Sequence, residues 1–135
     1  MTSNILEIFD TESQSEAGSW LHLNTPGKYG VPAYADPDTK ALPLRIKVRG
    51  PESDIWQGFR RKAMQMGKDN RTLEEVKRDD SKILARMTLD IENFPGFDNT
   101  KEDLVRLYLG YQDVRRQVLL HILEGEHFLA QVAEE

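Results

Sequence analysis

The 135-residue chain contains no cysteine, only three histidines, and fewer basic than acidic residues. The absence of cysteine excludes disulfides, thiolate metal sites and cysteine nucleophiles, and it fits a reducing compartment. With 18 Lys and Arg against 23 Asp and Glu, the formal net charge is −5 at pH 7. A nucleic-acid surface needs clustered basic residues to displace counterions, so this balance argues against nucleic acid as the main partner.

Long apolar runs are absent as well. The first residues, MTSNILEIFDTESQ, have neither a basic start nor a long apolar core, so we expect no secretory signal. No run approaches the roughly 20 apolar residues that cross a bilayer, and no membrane role is expected. Hydrophobic residues still make up 39% of the chain, which is enough for one folded domain of this length.

Two stretches before residue 50 predict strands. SWLHLN, from Ser19, alternates Trp20 and His22 with two leucines, and PLRIKVRG alternates three apolar with three basic residues. The simplest arrangement is an antiparallel pair joined by a long irregular loop rich in proline and glycine. A lone hairpin is marginally stable in water, so its apolar face is expected to lie on the helices that follow.

Four helices are expected after Gly50-Pro51. The first runs through ESDIWQGFRRKAMQM and stops at Gly67. The second starts at Thr72, where Glu75 gives the spacing of a capping box, and continues to about Ile91.

Pro95-Gly96 predicts a turn, and Thr100 with Asp103 marks the start of the third helix. Gly110 is expected to break or kink the chain before the last helix, which ends near Leu123. The residues predicted on the buried side of the third helix are Leu104, Leu107, Tyr108 and Tyr111.

Together these signals predict an α+β fold, with an N-terminal β-hairpin followed by a mainly α-helical domain of about four helices. The chain is expected to be a single domain, 1–135. It divides into an N-terminal arm (1–17), the hairpin (18–50), the helical core (51–123) and an acidic tail (124–135) that is either fraying helix or an arm.

No catalytic constellation stands out, so we expect a non-enzymatic protein with no cofactor, no catalytic residue and no metal site. No serine lies in a nucleophile-elbow sequence, and PGKYG lacks the Lys-Ser/Thr ending of a phosphate loop. Glu124 and His127 are three residues apart and could share a metal, but a site needs more ligands than two. A small metal-dependent enzyme that uses this pair is the competing hypothesis from another class.

Binding is favoured over catalysis, and the candidate contacts are apolar. The cluster around Leu6 and Phe9 either docks on the body of the fold or orders on binding a partner. Trp56 lies beside the apolar stripe of its helix, so it is either a core residue or an exposed anchor. The residues predicted to contact a partner are Ile5, Leu6, Phe9, Trp56, Phe59, Tyr108 and Tyr111.

Two segments resemble a known family: AGSWLHLNTP with PLRIKVRGPESDIWQGFRRKA, and IENFPGFDNTKEDLVRLYLGYQDVRRQVLLHI. They are similar to the tail assembly chaperones of long-tailed bacteriophages with flexible, non-contractile tails. Phe94 stands where that family more often has tryptophan, and Val114 where it more often has leucine. The matching positions are Gly50, Asp54, Phe94, Gly96, Thr100, Leu104, Leu107, Arg115, Val118 and Ile122.

The resemblance implies a protein of the host cytoplasm that is absent from the mature virion. Such a chaperone binds the tape measure protein, keeps it soluble and brings tail tube subunits to it. The tail tube contact would be made through a longer, frameshifted form. Many copies would coat one client, which implies self-association into a spiral or ring. The alternative is a minor structural or head–tail component retained in the virion.

The client of such a chaperone is a long amphipathic helix, which docks best into an apolar groove. We expect the apolar faces of 51–66 and 101–123, with the N-terminal arm, to form that groove and the self-contacts.

Overall fold

The computed structural model describes residues 6, 9–27, 30–65 and 72–129. Its helices and antiparallel sheets confirm the predicted α+β class, with a strand pair near the N-terminus and a helical region after it. Ile5, Met66, Gly67 and 130–135 lie outside the described residues, so the predicted stop of the first long helix at Gly67 falls there too.

The predicted strand pair is present. β1 (Ser19–His22) runs antiparallel to β4 (Arg45–Val48), with Trp20 opposite Lys47 and Leu21 opposite Ile46. Alternation works as expected in β4, because Ile46 and Val48 are fully buried and Arg45 and Lys47 are only half-buried.

The long loop between these strands contains a second, smaller hairpin, which the proline and glycine pattern did not predict. β2 (Tyr34–Asp36) and β3 (Ala41–Pro43) pair antiparallel within 34–43. Three-residue strands carry too little periodicity to be recognised in sequence.

The third strand of the main sheet occupies residues that were expected to end a helix. α3 (Leu73–Met87) ends at Met87, so its predicted continuation to about Ile91 is wrong, and β5 (Thr88–Glu92) pairs with β4 instead. Met87 and Ile91 are four residues apart, as on one face of a helix, so the apolar pattern did not indicate that the helix ends at Met87. Pairing along the open edge of β4 decides the conformation, and the strand order becomes β1-β4-β5.

Both predicted capping signals are confirmed. The Thr72 hydroxyl accepts the Glu75 N–H at 3.2 Å at the start of α3. The Thr100 hydroxyl accepts the Asp103 N–H at 3.3 Å at the start of α4 (Lys101–Gly110). α5 (Gln112–Glu124) follows after a break at Tyr111, as the glycine at position 110 predicted.

The remaining two helices lie nearer the N-terminus. α2 (Asp54–Gln65) begins three residues after Pro51. α1 (Thr11–Ala17) forms within the segment predicted to be an arm, and the Asp10 carboxylate accepts the Ser13 N–H at its start.

α1 docks on the body of the fold. Ser15 is buried, and its carbonyl accepts the Gly50 N–H at 2.8 Å. The Glu16 carboxylate accepts the Asp54 N–H at 2.7 Å. A Cβ on Gly50 would lie 2.7 Å from both Ser15 and Phe128, so this contact requires glycine. The arm is therefore part of the folded body from Thr11 onward.

Phe128 lies in a 3₁₀ turn (Glu126–Phe128) within the predicted acidic tail, and it is buried. The core lies between the inner face of the sheet and the helices α2 to α5. Its buried apolar members are Leu23, Ile46, Val48, Trp56, Ile83, Leu84, Ala85, Met87, Leu104, Leu107, Tyr108, Val118, Ile122 and Phe128.

Candidate partner-binding site

Two of the residues predicted to contact a partner belong to the core. Trp56 is 4% exposed and Tyr108 is fully buried, so neither side chain presents a surface in this fold. Phe59 is half-buried against Trp56, with ring centroids 5.4 Å apart. Of the two alternatives for Trp56, a core residue or an exposed anchor, the first is correct, because the apolar stripe of α2 is wide enough to include it.

Three other predicted contact residues are exposed. Leu6 is 65% exposed, Phe9 71% and Tyr111 54%. Tyr111 was expected on the buried side of α4, and that prediction is wrong: it lies at the break between α4 and α5, where helical spacing no longer sets its direction. Its ring contacts the edge of Phe97, with centroids 6.1 Å apart.

α5 carries apolar residues on both its buried and its exposed face. Val118 and Ile122 are fully buried, but Leu120 is 44% and Leu123 is 58% exposed. Leu120 and Leu123 are three residues apart, so they are neighbours on the helix surface. A clear signal was present in VLLHIL, where apolar residues occur at more positions than one helix face can bury. We call Leu120 and Leu123 the leucine ridge.

An open groove of about 540 Å³ lies beside the leucine ridge, between β1 and α5. Leu120 belongs to both the ridge and the groove wall. The residues that line it include Trp20, His22, Thr25, Arg116, Gln117 and Leu120.

The amide of Gln117 closes one end of this groove. It accepts the Asn24 N–H and donates to the Asn24 carbonyl, both at 2.8 Å. Its second N–H goes to the Asp113 carboxylate, which therefore fixes the orientation of the amide. Arg116 also pairs with Asp113 at 2.8 Å. Hydrogen bonds from Arg116 first, and then from Gln117, hold the pKa of Asp113 below its usual value.

The solvent face of the sheet carries aromatic and charged side chains. The Arg45 guanidinium lies 4.8 Å from the centre of the Trp20 ring, and Lys47 lies 6.0 Å from it. Arg45 also forms a bidentate pair with Glu92, with the closest contact at 2.6 Å. Glu92 therefore offsets the positive charge of Arg45 on this face.

His22 and His121, two of the three histidines, are held in structural contacts. His22 Nε2 lies 2.8 Å from the Ala33 carbonyl, and its ring meets Tyr34 edge-on at 5.1 Å. His121 is buried, and its ring packs against Phe128 with centroids 5.2 Å apart. In the described part of the chain, no group of three or more His, Asp or Glu residues is placed to hold a metal ion. Within the same residues, no helix is long and apolar enough to cross a membrane.

No protein-family model, curated protein or solved structure matches this chain. A proposal of function therefore rests on the surfaces of the molecule and on the resemblance in its sequence.

Proposed function

We propose that the protein is a bacteriophage tail assembly chaperone that binds the tape measure protein through the leucine ridge of α5. It keeps this client soluble in the host cytoplasm and helps to recruit tail tube subunits, the latter through a longer frameshifted form. The observation that carries the proposal is the exposure of Leu120 and Leu123 on a helix whose other face buries Val118 and Ile122.

The leucine ridge suits a helical client. A long amphipathic helix in water exposes apolar side chains at intervals of three and four residues, and leucines with the same spacing can pack between them. Exposed apolar side chains that adjoin one another are a feature of interaction sites. The groove beside the leucine ridge provides a second, concave surface. A client that binds Leu120 and Leu123 would therefore contact the groove as well.

The positions that carry the resemblance belong to the scaffold of the fold and not to the proposed client surface. Leu104, Leu107, Val118 and Ile122 are buried, and Thr100 caps a helix. These positions maintain the scaffold. The client surface is accordingly expected among residues outside the shared pattern, as Leu120 and Leu123 are.

Co-expression with the tape measure protein, the long helical product expected from a neighbouring gene, tests the proposal. The wild-type chain should keep that protein in the soluble fraction, and Leu120→Ser/Leu123→Ser should lose most of this effect. Leu73→Ser is the matched control, since Leu73 is 83% exposed at the start of α3. Unchanged solubility of the client with the wild-type chain would overturn the proposal.

A second measurement separates the chaperone from a structural tail component. Mass spectrometry of purified virions should find no copies of this protein, because an assembly chaperone leaves before the particle is complete. Its recovery in stoichiometric amounts would favour the minor structural or head–tail role instead.

A further inference from the structure

We propose that the outer edge of β1 binds an extended segment of a partner protein and recognises it through the main chain of that segment. The segment would lie as an added strand in the groove between β1 and α5. This inference goes beyond the proposed function, because it assigns a second mode of binding that does not require the partner to be the tape measure protein.

β1 is an edge strand whose outward backbone groups have no partner in the described part of the chain. Leu23 donates its N–H to the Leu44 carbonyl on the side of β4. Hydrogen-bonding direction alternates along a strand, so Leu21 also faces β4, and Trp20 and His22 face away from it. No hydrogen bond reaches the backbone of Trp20 or His22 from any described residue on that side.

Asn24, the next outward-facing residue, shows which chemistry this edge accepts. The side-chain amide of Gln117 accepts the Asn24 N–H and donates to the Asn24 carbonyl, both at 2.8 Å. A residue of a neighbouring antiparallel strand would form the same two bonds with its own N–H and carbonyl. α5 therefore satisfies the edge at Asn24 as a strand would, and the edge is left open at His22 and Trp20.

The open edge requires a partner that supplies both donors and acceptors. Trp20 and His22 each present one N–H and one carbonyl in the same direction. A nucleic-acid backbone offers phosphate oxygens, which only accept, and an α-helix uses its main-chain groups internally. An extended polypeptide provides both kinds of group at the repeat of a strand.

The groove has room for such a strand. The four residues of β1 extend about 13 Å at roughly 3.3 Å per residue. The groove beside them has a volume of about 540 Å³, which is enough for a few side chains. Its lining carries Arg116 and Glu124, one charge of each sign, so it does not favour a polyanion.

Leu120 indicates which side chains the added strand would carry. It lines the groove and is 44% exposed, whereas Val118 and Ile122 on the same helix are fully buried. The sheet ends at β1, and a strand beside β1 would direct alternate side chains toward α5. An apolar side chain at such a position would remove Leu120 from water, which is favourable. The partner segment is therefore one in which apolar residues alternate with polar ones.

Recognition through the main chain makes such a site tolerant of sequence. Main-chain groups are the same at every residue except proline, which lacks the N–H. The edge would accordingly bind many different alternating segments and reject those with proline at a bonded position.

Binding of a designed peptide tests the site directly. The probe is a fluorescently labelled peptide of about seven residues, long enough to span β1, in which leucine alternates with threonine. It should bind the wild-type chain, and N-methylation of its central amides should weaken binding about tenfold or more. N-methylation removes main-chain donors and keeps the side chains, so equal binding of the two peptides would overturn the proposal. No binding of the unmethylated probe would overturn it as well.

Amide hydrogen exchange locates the bound peptide. The Trp20 and His22 amides should exchange more slowly with the probe present, because they gain acceptors. The Leu21 amide is the internal control, since it faces β4 in both states and its exchange should change little. Unchanged exchange at Trp20 and His22 in the complex would place the peptide elsewhere and refute the proposal.

Proline at position 20 tests the edge from the side of the protein. Proline on an edge strand is tolerated when its nitrogen faces outward, but it removes the donor and blocks the approach of another strand. Trp20→Val is the matched control, because both variants lose the indole and only Trp20→Pro loses the outward N–H. Affinity for the probe should be about tenfold lower for Trp20→Pro than for Trp20→Val. Equal affinities would contradict recognition by the edge.

A second pair of variants decides the case if Trp20→Pro fails to fold. Leu120→Ser should weaken binding of the probe and Leu123→Ser should leave it near wild type, because Leu120 lines the groove and Leu123 does not. Equal effects of the two variants would refute the position of the peptide in the groove.

A second copy of this chain is the competing occupant, and sedimentation velocity without peptide tests it. Self-association of Trp20→Val that is abolished in Trp20→Pro would assign the edge to another copy and overturn the proposal. The same association state in both variants would support an edge that is free for a partner protein.

The two proposals fail separately. Client solubilisation by a chain that does not bind the probe would refute only the main-chain recognition. Probe binding with slowed exchange at Trp20 and His22, in a chain that does not solubilise the client, would refute the chaperone function alone.

Discussion

α4 and α5 follow each other with one residue between them, yet they use their apolar residues in different ways. α4 places Leu104, Leu107 and Tyr108 in the core and has no large hydrophobic residue among the exposed ones. α5 buries Val118 and Ile122 and exposes the leucine ridge. The difference shows that an apolar residue on a helix can serve the fold or a partner, and that composition alone does not separate the two uses.

The starts of α4 and α5 are also stabilised in different ways. α4 begins with a side-chain cap from Thr100, whereas α5 begins after Tyr111 with no side-chain cap. α5 is instead held by tertiary contacts, among them the bond of Arg115 to the Tyr108 carbonyl at 2.7 Å and the bracing of Asn24 by Gln117. The start of α4 is thus fixed by local sequence, and the start of α5 by tertiary contacts.

The largest effect on stability is expected when a buried side chain of α4 is truncated. Leu107 is 2% exposed, so Leu107→Ala removes buried methyl groups and leaves a cavity that the surroundings fill only in part. The free energy of unfolding should fall by about 2–5 kcal/mol. Urea denaturation measures it, with Leu73→Ala as the exposed control. A loss as small as that of the control would mean that α4 does not anchor the core.

A smaller effect is expected from removal of the cap of α4. Thr100→Ala deletes the acceptor for the Asp103 N–H, and the free energy of unfolding should fall by about 0.5–2 kcal/mol. Thr100→Ser keeps the hydroxyl and should remain near wild type. Equal losses in the two variants, measured by thermal unfolding, would show that the cap does not stabilise α4.

The cap and the buried face of α4 are also where the sequence was most informative. Thr72 and Thr100 act through hydrogen bonds within a few residues, so their spacing was enough to place the starts of α3 and α4. β5 could not be found in this way, because its conformation depends on pairing with β4 from about forty residues away. The groove was equally hidden, since β1 and α5 meet only in the folded chain.

The buried hydroxyl of Tyr108 ties α4 to β5. Thr88 donates to the Leu84 carbonyl at 2.8 Å, so the Tyr108 hydroxyl is the donor in its 2.6 Å bond with Thr88. Tyr108→Phe should lower the free energy of unfolding by about 0.5–1.5 kcal/mol at neutral pH. Thr88 keeps its bond to Leu84 in this variant, which limits the loss.

The same residue predicts a dependence on alkaline pH. Burial raises the pKa of Tyr108 well above its usual value near 10, and the bond with Thr88 offsets this only in part. The contribution of the Tyr108 hydroxyl to the free energy of unfolding is complete below pH 10. It is lost as the pH rises further, because the unfolded chain then releases the Tyr108 proton and the folded chain retains it. The advantage of wild type over Tyr108→Phe should therefore shrink above pH 10, by up to about 1.4 kcal/mol per pH unit. A constant difference between pH 8 and pH 11 would contradict this assignment.

The smallest effect on stability is expected at the leucine ridge, where α5 departs most from α4. Leu120→Ser/Leu123→Ser replaces side chains that are 44% and 58% exposed, and each replacement should change the free energy of unfolding by no more than about 0.5 kcal/mol. Retention on a hydrophobic-interaction column should nevertheless fall, because the pair forms a contiguous apolar surface. A loss of stability close to that of Leu107→Ala would place these leucines in the core and would remove the basis for a client site on α5. Near-wild-type stability with reduced retention would leave the ridge as surface that the fold itself does not require.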